Sequence, residues 1–426
     1  MSRSFLPFCC LAIVYWMGPP CAAQNWPQFR GAGAQGHTNA TNLPIQWDTK
    51  NHVVWKTEIL GSGWSSPVIV EGRIYLTSAV EIESPAPEGD EQEAVTRHPR
   101  SLQVLCLDYE TGKPVWNTEV GTIPADASIH SKNSHASPTP LVSGNRIYVH
   151  FGNRGTAALD LDGKVLWERK IDYNPVHGSG GSPVLFEDLL ILNCDGGSNP
   201  FVIALKASNG DEQWRTARPE FPSQTFSFST PLLIQVNGQP QCVSAGSHVV
   251  CSYNPRTGAQ LWSVHYPNKW SIVPKPVFAQ GKVLVCTGYE GPAELLAINP
   301  EGRGDVTESH ILWRADQFVP HNPSPLVVDD AVYLISDKGI ASCRDLETGE
   351  LHWKERVGGN FSASPIVGEG KIFFMSEEGL CTVIDAAKEY NVLAENDLEE
   401  RTFASIAPQN HGLIIRTETT LYRIGD

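Results

Sequence analysis

The stretch 325–353, PLVVDDAVYLISDKGIASCRDLETGELHW, recurs along almost the whole chain and limits what that chain can fold into. It reads as four short strands. Residues 325–328 form an apolar run closed by the turn signal Asp329-Asp330, and 331–336 a second run rich in β-formers. After a break at 337–339, residues 340–345 end at Glu347-Thr348-Gly349, and Trp353 marks the fourth run. Helix-period patterning is hard to find after the first residues, so the apolar side chains must be buried by pairing and stacking strands.

Eight copies begin at a proline: Pro67, Pro140, Pro183, Pro231, Pro276, Pro325, Pro365 and Pro408. Eight positions on, the second strand carries Tyr75, Tyr148, Leu284, Tyr333 or Phe373. Ile191 and Ile415 hold that place in two further copies, and the Pro231 copy contains a small insertion. The repeat tryptophans are Trp55, Trp116, Trp167, Trp214, Trp262, Trp313 and Trp353, spaced between 40 residues (Trp313 to Trp353) and 61 (Trp55 to Trp116). Four strands at that period predict propeller blades. At the N-terminus, residues 53–59 form a fourth strand with no first three; at the C-terminus, 407–409, 412–417 and 420–424 are three strands with no fourth. The prediction is an all-β, eight-bladed propeller of four-stranded antiparallel blades, closed by the N-terminal strand completing the C-terminal blade, with no open sheet edge. No linker or shift of composition interrupts residues 53–426, which read as one domain after an N-terminal extension over 24–52.

Residues 1–23 read as a signal peptide: Arg3, an apolar run over 5–17, and the small residues Cys21-Ala22-Ala23 before Gln24. The run is short of the ~20 residues a membrane span needs, an uncleaved anchor being the alternative. A lipid anchor on Cys21 is disfavoured by Gly18-Pro19-Pro20 before it. The expectation is a periplasmic or secreted monomer with no membrane span. A formal charge of −15 without a basic stripe excludes nucleic acid as a partner. Glu81, Glu83, Glu88, Asp90, Glu91 and Glu93 crowd a Pro-containing insertion (81–100) that reads as a solvated loop.

Of ten cysteines, Cys9, Cys10 and Cys21 lie in the leader. Cys106 and Cys343 share a repeat position with Ala158, Ala204 and Ala297, which marks them as small core residues. Cys242 and Cys251 would face each other across a hairpin turning at Gly246-Ser247, either as a disulfide or as two reduced strand cysteines. No C-x-x-C pattern occurs, and Asp160-Leu161-Asp162-Gly163 reads as a turn rather than a calcium loop.

Strand direction places the links between blades, and the loops between second and third strands, on one face. The short Thr-Gly turns lie on the other. The first face carries the irregular sequence, and variable loops on a rigid scaffold are where binding residues gather. The candidate contacts there are Trp64, His135, His177, Phe226, Trp270, His321, Asn360 and Arg401. The repeat tryptophans read as inter-blade packing. His135, His177 and His321 are either hydrogen-bonded loop histidines or, if they converge, a metal or acid–base site; no metal ligand and no catalytic residue is assigned.

Asp- or Asn-ended third strands followed by Thr-Gly and then Trp, as in LDYETGKPVW over 107–116, resemble the pyrroloquinoline quinone (PQQ) repeat across nearly all of 55–424. That resemblance implies one of two functions. Quinoprotein dehydrogenases of this fold oxidise alcohols or sugars with PQQ and calcium. Propellers similar to the assembly factor BamB carry no cofactor and hold proteins or peptides. The alcohol-oxidising enzymes use two adjacent bonded cysteines, and the only adjacent pair here, Cys9-Cys10, is in the leader. Gly178-Ser179-Gly180-Gly181 lacks nucleophile-elbow spacing. The expectation is therefore a non-catalytic envelope scaffold for a protein or peptide partner, without cofactor; the alternative is a PQQ-dependent dehydrogenase.

Overall fold

The structure, a computed structural model, describes residues 25–83 and 98–425. The leader, Gln24, and the acidic residues Glu88, Asp90, Glu91 and Glu93 lie outside the described residues. The described chain forms eight sheets of four antiparallel strands, and blade four adds a fifth strand. The inner strands of blades one to eight are Val68–Val70, Leu141–Ser143, Val184–Phe186, Leu232–Val236, Val277–Ala279, Leu326–Val328, Ile366–Gly368 and Ala407–Gln409. Second strands such as Leu189–Cys194 and Ala331–Ile335 are buried along their whole length. Outer strands alternate: Val53–Glu58 buries every second residue only in part. Strands covered on both faces become continuous apolar runs, and those at the rim keep the two-residue period.

Blade eight takes strands from both ends of the described chain. Val53–Glu58 pairs antiparallel with Thr420–Gly425, Thr57 opposite Leu421. The start of this blade corrects the sequence reading. In the first seven copies the proline directly precedes the inner strand, but Pro408 lies inside Ala407–Gln409. Ile406 holds the proline position, and Ile414, not Ile415, pairs with Ala407 as Tyr75 pairs with Val68. The anchor position itself carries isoleucine, and the proline two residues later falls within the strand.

The repeat tryptophans tie neighbouring blades together. Trp55 Nε1 donates to Tyr109 O at 3.0 Å, and Trp116, Trp167, Trp214, Trp313 and Trp353 make the same bond to Leu161, Ala207, Pro255, Leu346 and Ala387. Each acceptor lies in the third-to-fourth-strand turn of the next blade. The glycine of that turn fits against the ring. Gly112 has φ +67°, and a Cβ there would meet Trp55 at 2.5 Å, so the position requires glycine for its backbone and for its lack of a side chain.

Trp262 is the exception. Blade five replaces its Thr-Gly turn with residues 299–310, of which Gly304–Asp305 pairs parallel with Gln260–His265 as the fifth strand of blade four. Trp262 Nε1 instead donates to Gln241 Oε1 at 2.8 Å, and Gln241 Nε2 donates to Pro300 O at 3.0 Å, so one buried glutamine bridges ring and turn.

The cysteine hairpin also differs from expectation. The strands turn at Ser247-His248, with Gly246 opposite Val249, which puts Cys242 opposite Tyr253 and Cys251 opposite Ser244. Both thiols are free and buried. The turn lies one residue later than Gly246-Ser247 suggested, and that shift removes the facing pair a disulfide requires.

The extension is tied to the inner strands. Trp26 bridges Ile69, Pro27 O accepts from Val142 N, and Val367 pairs with Gly36 and Thr38. Residues 26–38 thus cross the inner strands of several blades before the chain reaches Val53.

Candidate functional site

The links between blades converge on one end of the central channel and enclose a cavity of about 700 Å³, within the range of small-ligand and peptide sites. Its walls are aromatic: Trp64, Phe226, Phe228, Trp270, Tyr289 and Phe403 come from the loops, and Phe29 from the extension. Trp64 packs on Phe403 with ring centroids 4.7 Å apart, and Phe226 meets His177 edge-on at 5.0 Å.

The inner end is polar and regular. In seven of the eight blades the residue before the inner-strand proline, or before Ile406, accepts a backbone hydrogen bond from its neighbour in the preceding blade. Ser66 N donates to Thr139 Oγ1 at 3.0 Å, Thr139 N to Ser182 Oγ at 2.9 Å, and Ser182 N to Thr230 Oγ1 at 2.9 Å. Beyond blade five the series resumes: Lys275 N to Ser324 Oγ, Ser324 N to Ser364 Oγ, Ser364 N to Ser405 Oγ, and Ser405 N to Ser66 Oγ at 3.1 Å. Seven bonds circle the channel, each satisfying a buried N–H at a net value of about 1 kcal/mol. The circle is open between Thr230 and Lys275, where lysine replaces the hydroxyl. Lys275 is buried and its Nζ donates to Pro231 O at 2.6 Å.

One loop leans over the mouth. Within residues 124–137, Asn133 Nδ2 donates to His177 O at 2.8 Å, and Lys132 Nζ reaches Glu377 Oε1 of blade seven at 2.8 Å. Glu377 is nearly buried and also accepts from Ser362 Oγ at 2.6 Å. The rings of His130 and His177 stand 5.1 Å apart, and burial, then the charge of His130, lowers the pKa of His177, favouring its neutral form. Behind Tyr289, the His321 ring stacks at 4.3 Å, and its backbone N–H donates to Asp337 Oδ2 at 2.6 Å. Burial works against the Asp337 charge, yet the bonds from His321 and Asn322 outweigh it and hold the carboxyl below its ordinary value.

Of the residues singled out from sequence, Trp64, His177, Phe226 and Trp270 line the cavity. His321 and Arg401 stand one layer behind, His321 under Tyr289 and Arg401 over the Phe403 ring at 4.7 Å. Asn360 lies outside the lining and is held by Glu378, to which its Nδ2 donates at 2.8 Å. His135 is half-buried away from the lining, with Nε2 unpartnered. The three histidines do not form a metal site: among the described residues no group of three or more His, Cys, Asp or Glu could hold an ion. Sequence reasoning missed Phe29, His130, Lys132, Phe228, Tyr289 and Phe403. Phe228 was signalled by its place two residues after Phe226, and the hydroxyl circle by the recurrent Ser/Thr-Pro. Tyr289 and Phe403 carried no signal.

Comparison with known proteins agrees with this architecture. The family model described as outer membrane protein assembly factor BamB matches residues 82–251 and 304–392, together more than half of the chain. Outer membrane protein assembly factor BamB of Yersinia pestis is 22% identical over 318 residues, 73% of this chain; the match spans 66% of that relative's length, just under two thirds. BamB of Moraxella catarrhalis superposes with a TM-score of 0.59 at 13% identity, covering 87% of this chain and 99% of that one. A europium-containing methanol dehydrogenase superposes at 0.65 with 12% identity, over 95% of this chain and 98% of the other. Likenesses at such identity carry the fold and not the chemistry. With the family model spanning most of the ring and eight four-stranded blades beneath it, the chain belongs to the BamB family of PQQ-like propellers.

Proposed function

We propose that this chain is a non-catalytic scaffold of the cell envelope that holds a segment of a partner protein in the aromatic cavity. The observation that carries the reading is the cavity itself: aromatic side chains set on irregular loops at one end of a rigid ring, the composition found in the buried centres of binding patches. Family membership supports an envelope location, and among the described residues no helix is long and apolar enough to cross a membrane.

The donor set supports reading the cavity without a quinone. Glu290 is the single carboxylate among the lining residues, and the lining contains no cysteine. Of the glutamate, asparagine and aspartate that the dehydrogenase resemblance implies around calcium the lining has no aspartate, and it has no paired cysteines, so these residues do not fit PQQ and calcium.

The test places a photo-crosslinking amino acid at Trp270 or Trp64, with Leu312 on the outer rim as control, in cells that make the full chain. Crosslinks to envelope proteins from the cavity positions and not from Leu312 are expected. Crosslinks from Leu312 alone would overturn the reading. Saturable calorimetric binding of PQQ with calcium, accompanied by alcohol oxidation, would replace it with the dehydrogenase.

A further inference from the structure

Two buried cations, Arg30 and Lys275, adjoin the inner end of the cavity, and a third, Arg416, lies between blades eight and one, across the ring from the Thr230–Lys275 gap; among the described residues none has a carboxylate within salt-bridge distance. Arg30 is 1% exposed; its Nη1 donates to Pro325 O at 2.8 Å, its Nη2 to Gln35 O at 3.0 Å and to Pro365 O at 3.4 Å, and its Nε has no partner. Lys275, also 1% exposed, has Pro231 O as its Nζ partner. Arg416, again 1% exposed, uses Nη1 on Ser65 and Thr77 and leaves Nε and Nη2 unpartnered.

Their positions are related. Pro231, Pro325 and Pro365 each follow a member of the hydroxyl circle by one residue, and Ser65 precedes one. Arg30 therefore adjoins the circle at blades six and seven and Lys275 at blades four and five, while Arg416 adjoins it at blades eight and one. Arg30 and Lys275 are close enough for the charge of one to disfavour that of the other. Like charges buried together with only carbonyl partners are costly, and the cost falls when an anion joins them.

The circle faces the cavity with matching polarity. Ser66, Thr139, Ser182, Thr230, Ser324 and Ser405 all line the cavity. Each accepts a backbone N–H on its oxygen, Thr230 from Ser182 and Ser324 from Lys275, which leaves the hydroxyl proton to donate elsewhere. A ring of O–H donors over buried cations suits an acceptor-only group, and the aromatic walls above suit an apolar body.

We infer that the inner end of the cavity is a carboxylate seat: a ligand enters acid first, its carboxylate received by the hydroxyl circle at the gap between Thr230 and Lys275, its apolar part held by the aromatic walls. The inference rests on the proposal that the cavity holds a partner segment, and names the group by which that segment is held. The carboxylate comes from a chain terminus or from an acidic side chain.

The test uses the purified chain and benzoate, with benzamide as the neutral isostere. Benzoate is expected to raise Tm by several degrees where benzamide does not, and Lys275→Thr, which supplies the hydroxyl the other blades carry, to abolish the difference. Equal shifts from the two compounds, or none from benzoate, overturn the seat; this comparison stands on the wild-type chain even if the variant fails to fold. Calorimetry with the acetylated tripeptide Ala-Val-Leu, as free acid and as amide, and with the amide of Ala-Glu-Leu, assigns the source. Free acid binding at least tenfold tighter than both amides supports a chain terminus. Tighter binding of the glutamate amide supports a side-chain acid. Peptides of equal affinity overturn the seat. A benzoate effect with no peptide binding leaves the seat standing and removes the partner-segment reading.

Discussion

The junction between blades six and seven and the junction between blades four and five are built from the same repeat and hold together differently. At the first, Trp353 reaches a backbone carbonyl of the next blade, and Ser324 N donates to Ser364 Oγ, as the repeat prescribes. At the second both ties are replaced: Trp262 bonds to Gln241 within its own blade, and Lys275 stands where a hydroxyl should accept from Thr230. The departures occur at the same pair of blades, one at the rim and one at the channel. A repeat can give up its own bonds at a junction where other groups satisfy the buried polar atoms. Blade four there gains a parallel strand and a glutamine bridge, and the channel gains a buried cation.

The largest expected difference lies in the turn glycines. Gly112→Ala must accept φ +67° and place a Cβ 2.5 Å from the Trp55 ring, whereas Gly304→Ala at the irregular junction has φ +71° and no heavy atom within 4 Å of the new carbon. Backbone strain of ~1–2 kcal/mol applies to both, and overpacking adds ~1–3 kcal/mol to the first alone. Denaturant unfolding should rank Gly112→Ala well below Gly304→Ala, and equal losses would show that the turn glycines do not wedge the blades.

Next comes the buried amine. Burial, then the neighbouring Arg30, brings Lys275 from its ordinary 10.5 down to about 7, with Cys242 acting weakly the other way. The unfolded chain then binds this proton more tightly than the folded one, so the contribution of Lys275 to stability is least favourable below pH 7 and rises between pH 7 and about 10, at up to ~1.4 kcal/mol per pH unit. Cys242, pushed up to about 12 by burial, keeps its proton in the folded chain, but the unfolded thiol ionises above about pH 8.5 and opposes the rise there, so the Lys275 contribution is the difference between the wild-type and Lys275→Thr profiles. Thermal unfolding in carboxylate-free and phosphate-free buffer should show this rise in wild type and not in Lys275→Thr. Identical pH profiles would mean that Lys275 is not held as the structure places it.

The smallest effect is at the glutamine bridge. Trp262→Phe keeps the buried ring but leaves Gln241 Oε1 without one of its two donors, the other being Ser252 Oγ. The expected cost is ~1–2 kcal/mol. Trp353→Phe frees a carbonyl at a partly exposed ring and should cost less. The reverse ranking would break the comparison between the junctions.

Much of this was legible in the chain. Alternating short runs, turn signals and the Ser/Thr-Pro to Trp spacing gave the strand order of each blade, because they report local backbone geometry and burial. The same local logic failed where one residue changed. Isoleucine at 406 hid the start of blade eight, and a turn placed one residue early made Cys242 face Cys251. The candidate site was half legible: Trp64 and Trp270 were off the repeat and line the cavity, while Asn360 and Arg401, equally off the repeat, are held by Glu378 and by the Phe403 ring outside it.

By itself the sequence determined the blade, its fourfold strand pattern and the number of copies, since each follows from periods of two residues and of forty or more. Tertiary structure decided which side chains from different blades share one space. Phe29 and Phe403 are 374 positions apart and line the same cavity. Ser66 and Ser405 join the same circle of hydrogen bonds. Arg30 rests on the carbonyls of Pro325 and Pro365 because the extension crosses the inner strands. Contacts of that kind depend on how the strands twist and how the ring curves, which bring distant residues together without leaving a local signal in the chain.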